Sequence, residues 1–408
     1  RAKIINDPIY GFIEVDKGII NDLINHKYFQ RLRRISQLGL SYLVYPGAQH
    51  TRFQHAIGSL HLMNKALNQL ENKGHKISRQ EKEGVKIAIL LHDIGHCPFS
   101  HALERTIVRD ISHEQLTLIY MHKLNEKFNG KLSLAIKIFE NKYERKFLNQ
   151  LVSSQLDMDR LDYLKRDSFF TGVTEGNIGV DRIISMLDIK DDRLVIEEKG
   201  IYSIEKFIIA RRLMYWQVYL HKTVLSAENM LIQILNRAKY LYENSKKIYL
   251  SPDLKRFFKN SFSFDDFIKD DSILENFSRL DDYEIYACLK YWIKNEDFVL
   301  SNLSQKILER DLLKIRIQKT KFNKKIISEY RSNMMKKENI NLNDSKYFIF
   351  SDKVSNSLYS IHESNIKILF KDGNIKDLSY SSDQFNLNVL AKTINKYFLC
   401  SPSEYIVE

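Results

Sequence analysis

The chain has 408 residues and a formal net charge of +12, and 44% of its residues are hydrophobic. This length fits one large domain or two smaller ones, and the hydrophobic content is sufficient for a buried core. Only 14 glycines and 5 prolines are present, without low-complexity tracts or short repeats, which favours a mostly helical fold over a sandwich of short strands. The positive charge favours anionic partners such as nucleotides, nucleic acid or an acidic membrane surface. The alternative interpretation is that the lysines lie on solvated helix faces and bind no partner.

The cysteine spacing and the N-terminal residues indicate the cellular compartment of the protein. Cys97, Cys288 and Cys400 are widely and irregularly spaced, which excludes a CxxC zinc site and argues against a disulfide framework. Such cysteines fit a reducing, cytosolic setting. Residues 1–16 lack the apolar core of a signal peptide, and no apolar run reaches the ~18 residues of a membrane-spanning helix. We therefore expect a cytoplasmic protein with no membrane partner.

The predicted elements of the first part are mostly helices after an extended segment over residues 1–15. Hydrophobic periodicity predicts helices over 16–38, 55–71, 79–95, 113–128, 131–140, 145–152, 156–168 and, as one long helix or two abutting ones, 204–245. Glycine-containing sequence over 169–180 predicts a loop, and 193–203 a small hairpin. The helix over 79–95 starts at a capping box of Ser78 and Glu81. It becomes almost wholly apolar from Val85 to Leu91, which predicts a buried helix.

The pattern changes towards the C-terminus. Residues 246–275 have no clear periodicity, which places a soft domain boundary there. Helices are predicted over 281–294, 303–335 and 386–397, and strands over 347–350 and 366–370, with a tight turn at 372–374. The sequence therefore predicts a mainly α protein with a helical core over 1–245. The region 246–408 is predicted to be a smaller α+β part, helical at first and ending in a small strand pair and a helix.

His92 and Asp93 stand at the end of the predicted buried helix. Burying an imidazole beside a carboxylate without partners costs several kcal/mol, and a metal ion would satisfy both. Histidine together with carboxylate suits Mn, Fe, Zn or Co better than calcium. The run from His92 to His101 contains three histidines and one aspartate, which favours a metal or catalytic site over a cluster of structural histidines.

Two other segments carry matching chemistry. His55 opens a predicted helix three residues after Arg52, so it could ligate a metal while the guanidinium faces a phosphate. Asp159, Tyr163 and Asp167 share one helix face at spacings of four residues. A solvated charged helix is the alternative interpretation of that second segment.

Two further histidines have carboxylates close in sequence. His101 and Glu104 are three residues apart, and His113 directly precedes Glu114. A carboxylate beside a histidine orients the ring and raises its pKa, which suits a general acid.

Together these stretches resemble the HD-domain superfamily of phosphohydrolases, and within it the deoxynucleoside triphosphate (dNTP) triphosphohydrolases. The stretches that carry the resemblance lie in order over about residues 3–240: 6–11, 29–39, 45–48, 51–55, 92–101, 113–114 and 157–167. The dipeptide His-Asp alone is a weak signal, whereas this ordered set is specific. The resemblance implies a helical HD-domain core.

The resemblance also implies roles for individual residues. The ligands of a divalent metal, not distinguishable among Mn, Fe, Mg, Zn, Co and Ni, would be His55, His92, Asp93 and Asp159. Around the scissile phosphate would lie His96, His101 and His113, with Glu104 orienting His101. Substrate contacts would come from Gln37, Leu38, Arg52, Arg160, Tyr163, Asp167, Arg211, Tyr215 and Tyr219, with Lys165 and Arg166 as further candidates for the phosphate end. From spacing alone, core packing is the favoured interpretation of Tyr215 and Tyr219.

An activator nucleotide is a second implied ligand. Lys3, Asn6, Gln30 and Arg33 fit such an effector site by the same resemblance. Members regulated by guanine nucleotides carry an aspartate near Asn25 and a glutamine in place of Leu220, so regulation and base preference stay open. The family's habit of oligomerising implies a homo-oligomer, a dimer or a tetramer.

The expected reaction is metal-dependent hydrolysis of dNTPs to deoxynucleoside and inorganic triphosphate. One alternative is an HD phosphohydrolase for another nucleotide, such as a monophosphate, an alarmone or a cyclic dinucleotide. The other is a protein that binds single-stranded nucleic acid and keeps a vestigial HD site, and the two activities could also coexist.

Overall fold

The computed structural model describes residues 3–99, 101–108, 111–356, 365–381 and 394–406. An N-terminal antiparallel hairpin of β1 (Lys3–Asp7) and β2 (Gly11–Val15) precedes the helices. The first helices are α1 (Ile19–Asn25), α2 (Lys27–Gln30), α3 (Arg52–Asn72), α4 (Arg79–Leu91), α5 (His101–Thr106), α6 (His113–Lys127), α7 (Ser133–Phe139), α8 (Lys146–Val152), α9 (Met158–Thr171) and α10 (Val180–Ser185).

Helix α3 packs against both α4 and α9. His55 lies in α3, Asp159 and Asp167 lie in α9, and His92 and Asp93 directly follow α4. The predicted capping box starts α4, because Glu81 N donates to Ser78 Oγ at 3.2 Å and Ser78 N donates to Glu81 Oε2 at 2.8 Å. Val85 and the apolar residues from Ile87 to Leu91 are all buried, which confirms the predicted buried helix. Burial on every side holds the end of α4, and the residues that follow it, in a fixed position.

The region predicted as one or two helices over 204–245 is two helices. After the hairpin of β3 (Leu187–Lys190) and β4 (Arg193–Glu197), α11 spans Ile201–Met214 and α12 spans Lys222–Glu243. Between them, Tyr215–Tyr219 form a short π-helix. A π-turn inserts an extra residue into the helix, and such turns are frequent at functional sites.

The C-terminal part is more structured than its sequence pattern indicated. The segment predicted as a soft boundary forms α13 (Pro252–Lys259), α14 (Phe264–Lys269) and α15 (Asp271–Arg279). The predicted helix over 303–335 is interrupted by a strand. The elements there are α16 (Asp282–Trp292), α17 (Phe298–Leu308), β5 (Lys314–Gln318), α18 (Lys324–Glu338) and α19 (Leu342–Ser345).

Two small sheets complete the fold. The last elements are β6 (Phe350–Asn356), β7 (Lys367–Leu369), β8 (Ile375–Asp377), α20 (Leu378–Ser381) and β9 (Ile394–Ser401). One sheet has the order β3-β4-β7-β8 and the other β5-β9-β6. Most of the helix predicted over 386–397 lies outside the described residues, but its last residues, 394–397, belong to β9. That part of the prediction is wrong because β9 pairs with distant strands on both sides.

The mainly α fold with a smaller α+β C-terminal region is confirmed. One continuous apolar core runs through both regions, and polar contacts cross the predicted boundary at residue 245. Arg31 Nε donates to Leu280 O at 3.1 Å, and the Arg237 guanidinium binds the Asp297 carboxylate through two hydrogen bonds. Within the described residues, none of the helices combines the length and the apolar character needed to cross a membrane.

Candidate active site

The site is built around His55, which lies in the first turn of α3 and is fully buried. Its Nδ1 donates to Asp162 Oδ2 at 2.7 Å. Arg166 binds the same carboxylate at 3.0 and 3.1 Å and also donates to Asp7 Oδ2 at 2.7 Å. Such a second layer of partners fixes the orientation of an imidazole. His55 Nε2 is therefore directed towards α4 and the start of α9.

His92 is held in a similar way at the end of α4. Its Nδ1 donates to Ile89 O at 2.6 Å, so its Nε2 faces His55 Nε2 at 3.2 Å. Asp159 Oδ1 lies 3.0 Å from His55 Nε2 and 3.2 Å from His92 Nε2. Because both Nδ1 atoms carry the ring proton, two imidazole lone pairs and a carboxylate oxygen converge on one point. A cation between them would remove their mutual repulsion.

These separations fit a metal coordination sphere. Ligand atoms about 2.0–2.2 Å from one ion lie roughly 3–3.5 Å apart. The donor atoms of His55, His92 and Asp159 meet that requirement. Asp93 stands at the edge, with Oδ1 3.5 Å from His92 Nε2 and Oδ2 3.8 Å from His55 Nε2. The donor set therefore fits a divalent transition metal, with three ligands converging and the fourth close by.

Asp93 also connects the donor group to two other predicted residues. Arg52 Nη1 donates to Asp93 Oδ2 at 2.6 Å, and His96 Nε2 lies 3.1 Å from Asp93 Oδ1. Despite burial, the neighbouring His96, His92 and Arg52 hold the pKa of Asp93 well below its usual value. The Arg52 guanidinium is thus placed beside the donor group.

The protonation of the histidines follows from their partners. Burial lowers the pKa of His55, but hydrogen bonds to Asp159 and Asp162 outweigh it and raise the pKa to about 10. The same carboxylates would favour a metal ion, which competes with the proton for His55 Nε2. Burial and the Arg52 charge instead lower the pKa of His96 to about 4, so His96 is neutral near pH 7.

A second cluster joins three of the predicted catalytic residues. The His96 and His113 rings stack at 4.1 Å with an interplanar angle of 17°. Glu104 Oε1 lies 3.5 Å from His113 Nδ1 and 4.0 Å from His96 Nδ1. Burial lowers the pKa of His113, but hydrogen bonds to Glu104 and Glu114 raise it to about 9. The side chain of His101 lies outside the described part of the structure, so its pairing with Glu104 stays a prediction.

The face of α9 next to the donor group carries an aromatic ring and a second carboxylate. The Tyr163 ring lies 6.4 Å from the His55 ring and 6.0 Å from the Tyr219 ring. Tyr219 donates to Asp167 Oδ2 at 2.7 Å, and His50 Nε2 donates to Asp167 Oδ1 at 2.6 Å. Both oxygens of the Asp167 carboxylate are therefore fixed. Asp159, Tyr163 and Asp167 thus lie along one face of α9, as their spacing indicated, and Tyr219 lies against that face.

His50 was not identified from the sequence. It is buried and stacks on Phe170 at 4.5 Å, and Gln37 N donates to its carbonyl oxygen at 3.0 Å. Gln37 and the neighbouring Leu38 are partly buried, and Gln37 Oε1 has no recorded partner among the described residues. Gln37 and Leu38 therefore lie at the same side of the site as Asp167.

The remaining residues expected to contact substrate, including arginines expected at the phosphate end, have partners within the protein. Arg160 pairs with Asp157 in the first turn of α9, and Arg211 Nη1 donates to Gln155 Oε1 at 2.9 Å. Tyr215 packs edge-on against Tyr219 at 5.7 Å. The expectation for Arg166 is wrong, because its side chain is fully buried between Asp7 and Asp162.

Lys165 departs from the same expectation. Its Nζ lies 5.1 Å from the centroid of the Tyr10 ring, on the hairpin side of α9. Spacing alone did not reveal which face of α9 Lys165 and Arg166 occupy. The interval of four residues between Asp162 and Arg166, however, is typical of an ion pair within a helix.

Of the predicted effector residues, Lys3 and Asn6 lie on β1, Gln30 ends α2 and Arg33 follows α2. Lys3 Nζ donates to Asn25 Oδ1 at 3.0 Å, and Gln30 Nε2 donates to Ile24 O at 2.7 Å. Arg33 Nε donates to Gln30 Oε1 at 2.9 Å. Asn6 is exposed on β1, three residues from Lys3 and hence on the opposite face of the strand. Three of the four residues thus form one surface patch.

Comparisons with known proteins agree with this arrangement. Residues 52–167 match the HD domain family, and residues 178–249 match the HD associated region. The chain is 50% identical to a phosphohydrolase from Bacteroides thetaiotaomicron, with a TM-score of 0.95 over 98% of this chain and 100% of that one.

Curated relatives extend the comparison. The uncharacterized protein YwfO of Bacillus subtilis is 32% identical over 94% of this chain and 88% of its own length. The deoxynucleoside triphosphate triphosphohydrolase SAMHD1 homolog of Dictyostelium discoideum is 31% identical, over 60% of this chain and 51% of that protein. The chain belongs to the HD-domain superfamily of phosphohydrolases and is related to the dNTP triphosphohydrolases.

Proposed function

We propose that the chain hydrolyses dNTPs to deoxynucleoside and inorganic triphosphate at the site around His55, His92, Asp93 and Asp159. The observation that carries the proposal is the convergence of two oriented imidazoles and a carboxylate. Beside them on α9 lie Tyr163 and Asp167, whose two carboxylate oxygens both accept hydrogen bonds. The SAMHD1 relatives are named for this reaction, although the chain spans only about half the length of those proteins.

The phosphate chemistry follows from the groups around the donor set. When bound, a divalent ion would act as a Lewis acid and activate a water for attack on the α-phosphorus. Arg52 and Arg160 would neutralise phosphate charge, because cations fixed in a site stabilise the charge that develops in the transition state. His113, protonated near neutral pH, would donate to a phosphoryl oxygen while neutral His96 holds Asp93.

The leaving group needs a proton when the bond between phosphorus and the 5′-oxygen breaks. His101 is the proposed donor, because it lies on the same short helix as Glu104. Proton transfer of this kind contributes about 10²–10⁴-fold to rate. The products would be a neutral 5′-hydroxyl and a triphosphate whose new oxygen comes from water.

The sugar would lie between the aromatic wall and the Gln37 side. Tyr163, Tyr215 and Tyr219 offer ring faces to a deoxyribose, and Gln37 Oε1 would accept a hydrogen bond from a sugar hydroxyl. A Tyr219 ring packed against the 2′ carbon would leave no room for a ribose hydroxyl. Two further parts of the proposal rest on the resemblance alone: an activator nucleotide bound at Lys3, Gln30 and Arg33, and a homo-oligomer. Light scattering with and without nucleotide would test both.

Chromatographic product analysis tests the reaction itself. Protein supplied with Mn²⁺ would receive all four dNTPs together, then each alone, with GTP present or absent. Release of deoxynucleoside and tripolyphosphate is the expected result, and a mixture that reacts when single dNTPs do not would indicate activation. Release of phosphate or pyrophosphate instead would favour another HD phosphohydrolase, and binding of single strands without turnover would favour the vestigial-site alternative.

A further inference from the structure

Three successive residues of the C-terminal region, 280–282, each bind a different residue just before Gln37. The pairs, in chain order, are Leu280 O with Arg31 Nε at 3.1 Å, Asp281 with the Arg34 guanidinium, and Asp282 Oδ2 with Ser36 N at 2.8 Å. Asp282 is the first residue of α16, and its side chain is buried. The C-terminal region therefore fixes the backbone that leads into Gln37.

The Asp282 carboxylate also faces a second loop of the site. Burial raises the pKa of Asp282 to about 6, and hydrogen bonds from Ser36 and from the backbone N–H of Phe99 act against that rise. Phe99 lies between the His92–Asp93 pair and α5, and its carbonyl oxygen accepts from Ala102 N at 3.1 Å at the start of α5. One carboxylate thus contacts the Gln37 loop (residues 35–39) and the Phe99 loop (residues 94–99).

The backbone of Phe99 depends on such support. Its φ is +52°, a left-handed conformation that is unfavourable for a residue with a Cβ atom. Strained backbone of this kind persists only where the surrounding structure holds it. Tyr286, one turn after Asp282 on α16, packs edge-on against the Phe99 ring at 5.4 Å, and its hydroxyl lies 2.6 Å from the Tyr42 hydroxyl. One face of α16 therefore holds both loops.

On their other side, the two loops lead to groups of the proposed reaction. Gln37 N donates to His50 O at 3.0 Å, and Arg52 N donates to Ile35 O at 3.0 Å. A shift of the Gln37 loop would therefore move the chain that enters α3. A shift of the Phe99 loop would move α5, which carries Glu104.

We propose that Asp282 is a positioning residue of this site, because its carboxylate holds the Gln37 loop and the Phe99 loop in the relative position that the reaction requires. It acts through the backbone of both loops. Its effect on turnover rests on the proposed function, whereas the joining of the loops rests on these contacts alone.

Hydrogen exchange followed by mass spectrometry on the full chain tests the joining of the loops. In Asp282→Ala, peptides covering residues 35–42 and 95–106 should exchange about tenfold faster, the effect of losing about one hydrogen bond. Asp282→Asn keeps the side-chain shape and one acceptor oxygen, so it should remain folded and show a smaller increase in the same peptides.

Asp297→Ala is the matched control. Asp297 is also a carboxylate at the start of a C-terminal helix, α17, and it binds Arg237 of α12 through two hydrogen bonds. Because this contact is separate from both loops, exchange of the two sets of peptides should stay within about twofold of the unmodified chain. An equal increase in Asp282→Ala and the control, or no increase in either, would overturn the proposal.

Steady-state kinetics and metal content then separate positioning from stability. In Asp282→Ala, kcat should fall about tenfold, because displacement of a positioned group by about 1 Å can cost 10²-fold. Metal content should stay unchanged, and Asp282→Asn should recover part of the lost kcat. An unchanged kcat in Asp282→Ala would overturn the positioning role. Failure of the proposed function would appear in the unmodified chain as no release of deoxynucleoside, and the exchange comparison alone would then decide whether Asp282 joins the loops.

Discussion

Gly58 provides a test of how the donor group is supported, because it lies in α3 less than one turn after His55. A Cβ atom at Gly58 would lie 2.1 Å from Asp162 Oδ1 and 2.3 Å from Arg166 Nη2. Both atoms belong to the buried ion pair that orients His55 Nδ1. Gly58→Ala must therefore displace the Asp162 carboxylate and, with it, the His55 ring.

The expected magnitudes separate stability from function. Alanine improves helix propensity by about 1 kcal/mol over glycine, while overpacking a buried site costs about 1–3 kcal/mol. The net change in the free energy of unfolding should be about 0–2 kcal/mol, which leaves the chain folded. Displacing the partner of a metal-binding histidine, by contrast, lowers metal affinity or activity by about 10–100-fold.

Gly84→Ala is the matched control. Gly84 also lies inside a helix, α4, but a Cβ there would meet the Leu134 side chain at 3.0–3.3 Å, and a flexible apolar side chain can adjust. Metal content by elemental analysis, phosphohydrolase turnover and thermal unfolding would be measured on both variants. Normal metal content and turnover in Gly58→Ala would refute the inferred role of the Asp162–Arg166 pair.

Three further outcomes are expected. Removing metal with a chelator should lower the unfolding temperature, and Mn²⁺ should restore it. The reason is that free metal at 100 times its Kd stabilises the folded chain by about 2.7 kcal/mol. An unchanged melting curve would count against the metal site. Tyr219→Phe removes the hydrogen bond to Asp167 and should raise KM about 2–10-fold with little change in kcat. Unchanged steady-state kinetics would exclude Tyr219 from substrate binding. Activity that needs protonated His113 should fall as pH rises through about 9. In Glu114→Gln that alkaline limb should move to lower pH, because one group that raises the His113 pKa is lost; a profile identical to the unmodified chain would contradict this role.

The parts of the site that local sequence could predict are those on single helices. His92 and Asp93 follow a run of apolar residues, and the i, i+4, i+8 spacing placed Asp159, Tyr163 and Asp167 on one face. Both patterns depend on helix geometry alone. The structure places His92, Asp93 and Asp159 around one point, with Tyr163 beside them.

The parts that local sequence could not predict depend on distant partners. Arg166 looked like a phosphate ligand, but Asp7 of the N-terminal hairpin, 159 residues away, draws it into a buried ion pair. His50 stands alone in a loop with no periodic signal. Strand β5 lies within a predicted helix because its partner, β9, comes more than 70 residues later, and no local window contains that pairing.

The most direct test of the central claim is a double variant, His92→Ala with Asp93→Ala, measured for metal content and dNTP hydrolysis on the same sample. The account predicts that bound metal and release of deoxynucleoside disappear together, while circular dichroism shows a folded helical chain. Full hydrolysis of dNTPs by a folded double variant would contradict it.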